Sequence, residues 1–238
     1  MSSGPAQDIA VRYLLAARSR DQQAAIECER DLAGLSEESL ADSLANDQAK
    51  LAFWIDTYNA VVVRQPSHDF HSIASRTRFF SRRGTTIAGH KLALDTIEHG
   101  ILRRSQLKIG LGFITNPFSS AFERRHRVTR TDPRIHFALN CAAASCPPIA
   151  AYRESHIEEQ LVLATRSYLD ASVAVDDRRI VLPRMFLWFA GDFGGRRGVR
   201  SFLSRYNIDH PGRRLRFAPF DWTPAPGRWS EAGWHDQE

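Results

Sequence analysis

The segment from Asp47 to about Gln65 constrains the fold of this chain more than any other part of the sequence. It contains the run LAFWIDTYNAVVV, whose apolar side chains would cover almost the whole circumference of a helix, and Pro66 follows where that helix would end. A helix that is apolar on all sides must be enclosed by other elements, so the segment predicts a central buried helix. With 238 residues, 43% of them hydrophobic, the chain can form such a core without disulfide cross-links.

Shorter elements are predicted on either side of this central helix. The first 45 residues have apolar positions at helical spacing and predict two or three amphipathic helices, with Ser36 and Asn46 as N-caps. The run TTIAGHKLAL predicts a β-hairpin that turns at Ala88 and Gly89, and RRIVL predicts a further short strand. The chain contains no internal repeat and no obvious linker. These patterns predict one α+β domain that is mainly helical with a small β-sheet.

Charge and composition exclude several classes of protein. The ordinary apolar content excludes intrinsic disorder, and the chain contains no P-loop, dinucleotide-binding, zinc-protease or serine-hydrolase motif. Arginine supplies 29 of the 32 basic residues, a bias that we ascribe mainly to genome composition. The basic cluster at 124–130 lacks interleaved aromatic residues, so we expect no binding of nucleic acid. The string Asp192-Phe193-Gly194 is interpreted as the end of a helix.

The compartment is predicted from targeting signals and cysteine content. No secretory signal pattern and no window of about 18 uninterrupted apolar residues is visible, so we expect a cytoplasmic protein without a membrane association. Three cysteines are too few for a disulfide framework, which favours a reducing compartment or a special use for one or two of them.

The segment 132–148, DPRIHFALNCAAASCPP, contains the densest set of reactive side chains. If residues 135–140 form a strand, His136 and Asn140 lie on the same face, opposite an apolar face that enters the core. Cys141 then lies at the end of the strand, and Cys146 follows five residues later in the loop.

Three interpretations of this segment remain open from the residues alone. A thiolate at Cys146 or Cys141 could act as a nucleophile, with His136 or His99 as base and Asn140 or Glu98 as the orienting group. His136, the two cysteines and one more ligand such as His99 could instead bind zinc, although the C-x4-C spacing is loose and no second pair follows. The cysteines could also be structural, either buried or joined as a disulfide.

Two other helices contain polar residues that need an explanation. Asp95 and Glu98 match a capping box that would open the helix DTIEHGILRR, whereas His99 has no structural role in that motif. Asp56 and Asn59 share a face of the buried central helix and must therefore have partners, for example Arg134 or the backbone of the loop CAAASCPP (141–148), which we call the cysteine loop.

Three separated runs, in this order, resemble the DUF547 family, a domain of unknown function. They are AFWIDTYNA (52–60), LALDTIEHGILR (92–103) and DPRIHFALNCAAASCPPI (132–149), with weaker similarity in MFLWFAGDFG and FAPFDW. The resemblance covers about residues 40–225. We divide the chain into N-terminal helices that pack on the core (1–45), a DUF547-like domain (46–225) and a C-terminal tail (226–238). The family motif keeps Asn59, Glu98, His99, Arg134, His136, Asn140, Cys141, Ser145 and Cys146, and it usually has Asn where this chain has Asp56.

Because the motif residues are poor core fillers, the resemblance favours a catalytic site. We predict a thiol-dependent hydrolase or acyl/amide transferase in which Cys146 is the nucleophile, His136 the base and Asn140 the orienting group. Arg134 and Asn59 would bind a small-molecule or peptide substrate. Glu98, His99 and Cys141 complete the predicted site. No cofactor is expected. The alternatives are a non-enzymatic interaction domain with a basic surface and a Cys/His zinc-binding domain.

Overall fold

The computed structural model describes residues 4–65, 70–208 and 211–230 of the chain. Its first half contains α1 (Pro5–Ser19), α2 (Gln22–Gly34), α3 (Glu37–Ser43), α4 (Asp47–Arg64), α5 (Ile73–Ser81), β1 (Arg83–Ile87), β2 (His90–Ala93) and a π-helix (Thr96–Leu102). Its second half contains α6 (Ala121–His126), two 3-10 helices (Pro133–Phe137 and Glu154–His156), α7 (Ile157–Ser172), β3 (Ala174–Val175), β4 (Arg179–Leu182), α8 (Met185–Trp188), α9 (Gly195–Arg205) and β5 (Arg214–Phe217).

The central helix is α4, and it is buried as the sequence predicts. Every residue from Leu51 to Val62 is buried, and α1 packs along the helix. The Asn46 side chain accepts a hydrogen bond from the N–H of Ala49 at 2.8 Å and so caps the N-terminus. The predicted stop at Pro66 lies outside the described residues.

The predicted fold class, a mainly helical α+β domain, is confirmed, although the strands form two small sheets and not one. In the antiparallel hairpin of β1 and β2, Ala88 and Gly89 both have positive φ angles, 47° and 76°, as a tight hairpin turn requires. In the second sheet, β4 pairs antiparallel with β3 and parallel with β5.

Two apolar clusters form the core and meet at the 3-10 helix Pro133–Phe137. The larger cluster surrounds α4 and includes Ile135, whereas the smaller one is built from α7, β4, α8 and α9 and includes Phe137. His136, which lies between these two residues, is therefore held at the junction of the two clusters. None of the described helices is long and apolar enough to span a membrane.

Two local predictions are wrong. Residues 135–140 do not form a strand, because Pro133 suits a first helical turn and the Asp132 side chain accepts a hydrogen bond from Arg134 N–H, which starts the 3-10 helix. The capping box at Asp95 and Glu98 is absent, since Asp95 itself has helical φ and ψ angles and its carboxylate contacts Lys108 at 2.9 Å.

Candidate active site

A pocket of about 520 Å³ lies where the π-helix, the cysteine loop and α8 come together. Its volume is within the range of sites that bind small molecules. Five of the sequence-predicted site residues line it: Glu98, His99, His136, Cys141 and Cys146. Aromatic side chains form much of the remaining wall: Phe80, Trp188, Phe189, Phe220 and Trp222.

A buried ionic network holds His136 at the pocket wall. The His136 Nε2 atom lies 2.8 Å from Asp192 Oδ2, and the same carboxylate binds Arg103 through Nε at 2.6 Å and Nη2 at 3.0 Å. The three side chains are only 1–2% exposed. Burial alone raises the pKa of Asp192, but the hydrogen bonds from His136 and Arg103 outweigh it and lower the pKa below its usual value. Asp192 is therefore an ionised acceptor.

This arrangement fixes the orientation and the tautomer of His136. An ionised carboxylate can only accept, so Nε2 carries the proton, and Nδ1 has no hydrogen-bond partner among the described residues. The imidazole also stacks on Phe189, with ring centroids 4.0 Å apart and an interplanar angle of 7°. The ring is thus held in place by Nε2 and by stacking, and the geometry leaves Nδ1 as the nitrogen that could accept a proton from a neighbouring group, as a general base requires.

His99 and Glu98 lie beside this network on the π-helix. Arg103 Nη1 lies 2.8 Å from His99 Nδ1, and since arginine can only donate, His99 accepts through Nδ1. Burial lowers the pKa of His99, which favours the neutral ring. Burial also raises the pKa of Glu98, but the positive charges around it, that of Arg103 among them, outweigh this effect and lower the pKa overall. Glu98 accepts a hydrogen bond from the Tyr58 hydroxyl at 3.2 Å.

Cys141 and Cys146 are joined by a disulfide bond in the pocket wall. The Cys141 N–H also donates to Cys146 Sγ at 3.1 Å. The cysteine loop is held by Asn140, which donates to Pro147 O at 2.6 Å and accepts from Ala142 N–H at 2.7 Å. Asn140 therefore positions the loop that contains the cysteines, while Asp192 orients the histidine.

The two predicted substrate-binding residues lie outside the residues that line the pocket. Arg134 forms ion pairs with Asp132 at 2.5 Å and with Glu158 at 2.7 Å. Asn59 is fully buried, donates to Ala138 O at 3.0 Å and accepts from the Asn140 N–H at 2.9 Å. Both residues hold the 132–148 segment in place.

Asp56 on the central helix has a backbone partner. Its carboxylate accepts from the Tyr152 N–H at 3.0 Å, so the required partner is the chain just beyond the cysteine loop. Burial raises the pKa of Asp56 well above its usual value.

Sequence reasoning missed Asp192, the residue on which the geometry of the site depends. It interpreted this residue as part of a helix stop. A signal was present, because an aspartate in the otherwise apolar run MFLWFAGDFG needs a buried partner. The aromatic pocket wall from Trp188, Phe220 and Trp222 was also missed.

The donor set for a metal is not assembled in the described part of the chain. No group of three or more His, Cys, Asp or Glu side chains among residues 4–65, 70–208 and 211–230 has a geometry that could hold a metal ion. Two of the ligands in the zinc interpretation, Cys141 and Cys146, are bonded to each other.

The fold and site define a mainly helical α+β protein with an aromatic pocket and a buried arginine–aspartate–histidine network. The sequence model of a family described as "Protein of unknown function, DUF547" matches residues 42–169. The chain belongs to this family. Asp192 lies outside the matched residues. Neither the search of curated proteins nor that of solved structures found a match.

Proposed function

We propose that the pocket is the active site of a thiol-dependent hydrolase or acyl/amide transferase, with Cys146 as nucleophile and His136 as base. One observation supports this most directly: His136 lines the same pocket as both cysteines, and Asp192 holds it with Nδ1 free of hydrogen-bond partners among the residues that the structure describes. A thiol, an oriented imidazole and a carboxylate behind the imidazole are the three groups that cysteine nucleophiles need.

The proposal assigns activity to the reduced protein, because a disulfide sulfur is not a nucleophile. We place the protein in the cytoplasm, where glutathione and thioredoxin systems keep most thiols reduced. The Cys141 N–H that contacts Cys146 Sγ favours Cys146 over Cys141, since an N–H directed at sulfur stabilises a thiolate.

Each step can be assigned to residues of this chain. Cys146 transfers its proton to His136 Nδ1, and the thiolate attacks a substrate carbonyl to form a C–S bond. The C–O or C–N bond to the leaving group then breaks, and the leaving group takes the proton from His136. Water, or an acceptor amine or alcohol, attacks the thioester and transfers its proton to His136. The C–S bond then breaks, the acyl product leaves, and His136 returns the proton to the Cys146 sulfur. Asp192 stabilises the imidazolium, and Arg103 positions Asp192.

Thiol reactivity tests the proposal without knowledge of the substrate. The protein is treated with a phosphine reductant, alkylated with iodoacetamide between pH 5 and 9, and analysed by peptide mass spectrometry. We expect Cys146 to react faster than a free thiol near pH 7, and His136→Ala to slow it at least about tenfold. Buried Cys28 is the internal control and should remain slow. Alkylation of Cys146 at or below the rate of a free thiol, unchanged in His136→Ala, would refute the nucleophile assignment.

Hydrolysis of p-nitrophenyl esters tests the same assignment by turnover. We expect Cys146→Ser to abolish activity, and Cys141→Ser to retain it without any requirement for reductant. Cys28→Ala is the matched control and should behave as the wild type. Activity that survives in Cys146→Ser would instead indicate a water molecule activated directly by His136.

A second candidate function, binding of a polyanionic partner, is favoured by the charge distribution. The stretch 178–216 contains ten arginines and two aspartates, whereas the whole chain has a net charge of only +5. In the parallel pair of β4 and β5, Arg214 and Arg216 lie on the outward face while Ile180 and Leu182 enter the core. Arg179 lies beside Arg214 and is paired with Asp176 at 2.6 Å. If this face is the functional surface, Arg214→Glu with Arg216→Glu should abolish retention on heparin, and Cys146→Ser should not affect it.

A further inference from the structure

The pocket has polar groups on its inner wall and apolar side chains at its entrance. Its inner wall contains the nearly inaccessible polar groups His136 and His99 and the disulfide sulfur of Cys146. Its mouth is apolar: Ile73 and Ile109 are each 75% exposed and Leu111 is 45% exposed, and all three line the pocket. We call these three residues the apolar mouth.

Cations near the mouth already have partners. Lys108 binds the Asp95 carboxylate at 2.9 Å, and Arg76 donates to Phe70 O at 2.8 Å while its guanidinium lies 4.7 Å from the Trp222 ring centroid. Ile73, Ile109 and Leu111 therefore provide exposed hydrocarbon at the entrance beside an ion pair that is already formed. Exposed clusters of apolar side chains are costly in water and commonly mark binding sites.

We propose that the substrate of this site has an unbranched alkyl or acyl chain that extends from the reactive groups to the apolar mouth. The aromatic wall of Trp188, Phe220 and Trp222 would enclose the chain, and the mouth would cover its distal end. A compact aromatic ring could fill the inner pocket but would leave the mouth exposed. The inference names the substrate class of the proposed enzyme and rests on that function only for the reaction, since binding can be measured separately.

A homologous series of n-alkan-1-ols, from butanol to decanol, tests the inference by calorimetric titration of the disulfide form. Each added methylene should tighten binding about fourfold until the chain reaches the mouth, because burial of a methylene contributes a nearly constant increment. Beyond that length the affinity should level off. Benzyl alcohol is the compact comparison and should bind no more tightly than butanol.

Substitutions at the mouth locate the distal end of the chain. We expect Ile109→Ser with Leu111→Ser to weaken decanol binding about tenfold and to leave butanol binding unchanged. Leu163→Ser is the matched control, because Leu163 is also exposed but lies on α7 outside this pocket. Affinity that does not depend on chain length, or a mouth variant that binds decanol as the Leu163→Ser protein does, would overturn the inference.

The same measurements distinguish failure of the two proposals. If alcohols bind with the expected chain-length dependence but the reduced protein does not hydrolyse octanoyl esters, the chain-binding site stands and the thiol mechanism fails. If short acetyl esters are hydrolysed through Cys146 and chain length has no effect on binding, the mechanism stands and the alkyl-chain inference fails.

Discussion

Replacement of Asp192 by Asn should destabilise the protein strongly, although it changes few atoms. The carboxylate of Asp192 compensates the charge of Arg103 through two contacts, at 2.6 and 3.0 Å, in a place where both side chains are 1% exposed. An asparagine amide is neutral, and its NH2 group would face N–H donors of Arg103 or His136. The variant therefore leaves a buried positive charge without its counterion.

The size of the effect follows from the cost of such a charge. Breaking a buried ion pair by removal of one partner typically costs about 3–5 kcal/mol. For a chain of this length, that corresponds to a decrease in Tm of roughly 6 to 20 °C. The lowered pKa of Asp192 also sets the pH range. The stabilising contribution is present above the carboxyl pKa of the unfolded chain, about 3.9, and is lost as the pH falls through the lower pKa of the folded state.

Urea unfolding at pH 7, followed by circular dichroism, measures this difference. Asp31→Asn is the matched control, because Asp31 forms an exposed ion pair with Arg12 at 3.1 Å whose loss should cost less than about 1 kcal/mol. The double variant Arg103→Met with Asp192→Leu removes both charges and should be more stable than Asp192→Asn alone. If Asp192→Asn unfolds within about 1 kcal/mol of the wild type at pH 7, the reasoning about an uncompensated buried charge is refuted.

Three further predictions concern residues outside the pocket. Asp56→Asn should keep the hydrogen bond from the Tyr152 N–H. Because the pKa of Asp56 is raised in the folded state, the free energy of unfolding of the wild type should decrease as the pH increases from 4 to 7. The variant should show less of this decrease in urea titrations at several pH values. Arg134→Ala should cost about 1 kcal/mol through loss of its pairs with Asp132 and Glu158, and ester hydrolysis and alcohol binding should not change. A large loss of binding would show that Arg134 contacts the ligand. Burial lowers the pKa of His126 to about 4, below its value of about 6.5 in the unfolded chain. The unfolded chain therefore binds a proton at this histidine first, and the free energy of unfolding should fall as the pH decreases from about 6.5 to 4. His126→Phe should reduce this dependence on pH.

The parts of the fold that depend on local pattern could be predicted from the sequence. The apolar run predicted the buried helix α4, the capping residue Asn46 predicted where that helix begins, and the Ala88-Gly89 turn predicted the hairpin. The segment 135–140 was misassigned because apolar and polar residues alternate there as in a strand. In the structure every residue from Ile135 to Asn140 is buried, since two core clusters meet at this point, and alternation then gives no information about which side faces solvent.

The composition of the site was more predictable than its connections. The motifs indicated that Glu98, His99, His136 and the two cysteines belong together, and all of them line one pocket. The partner of His136 could not be deduced, because Asp192 is 56 residues away from it and 89 residues away from Arg103. Contacts at that separation form because α8 and the loop after it pack against the 3-10 helix Pro133–Phe137. The periodicity of the sequence does not predict this packing.

The position of Asp192 also bears on what constitutes the functional unit. The family match ends at residue 169 and includes Arg103, His136 and both cysteines. Without the chain beyond α7, the charge of Arg103 would lack its counterion and the His136 ring would lack both Asp192 and the stacking partner Phe189. A buried ion pair gives little net stability compared with apolar packing, so its presence here is better explained by the orientation it imposes on His136. The second core cluster is therefore part of the site, because it positions the carboxylate that orients the histidine.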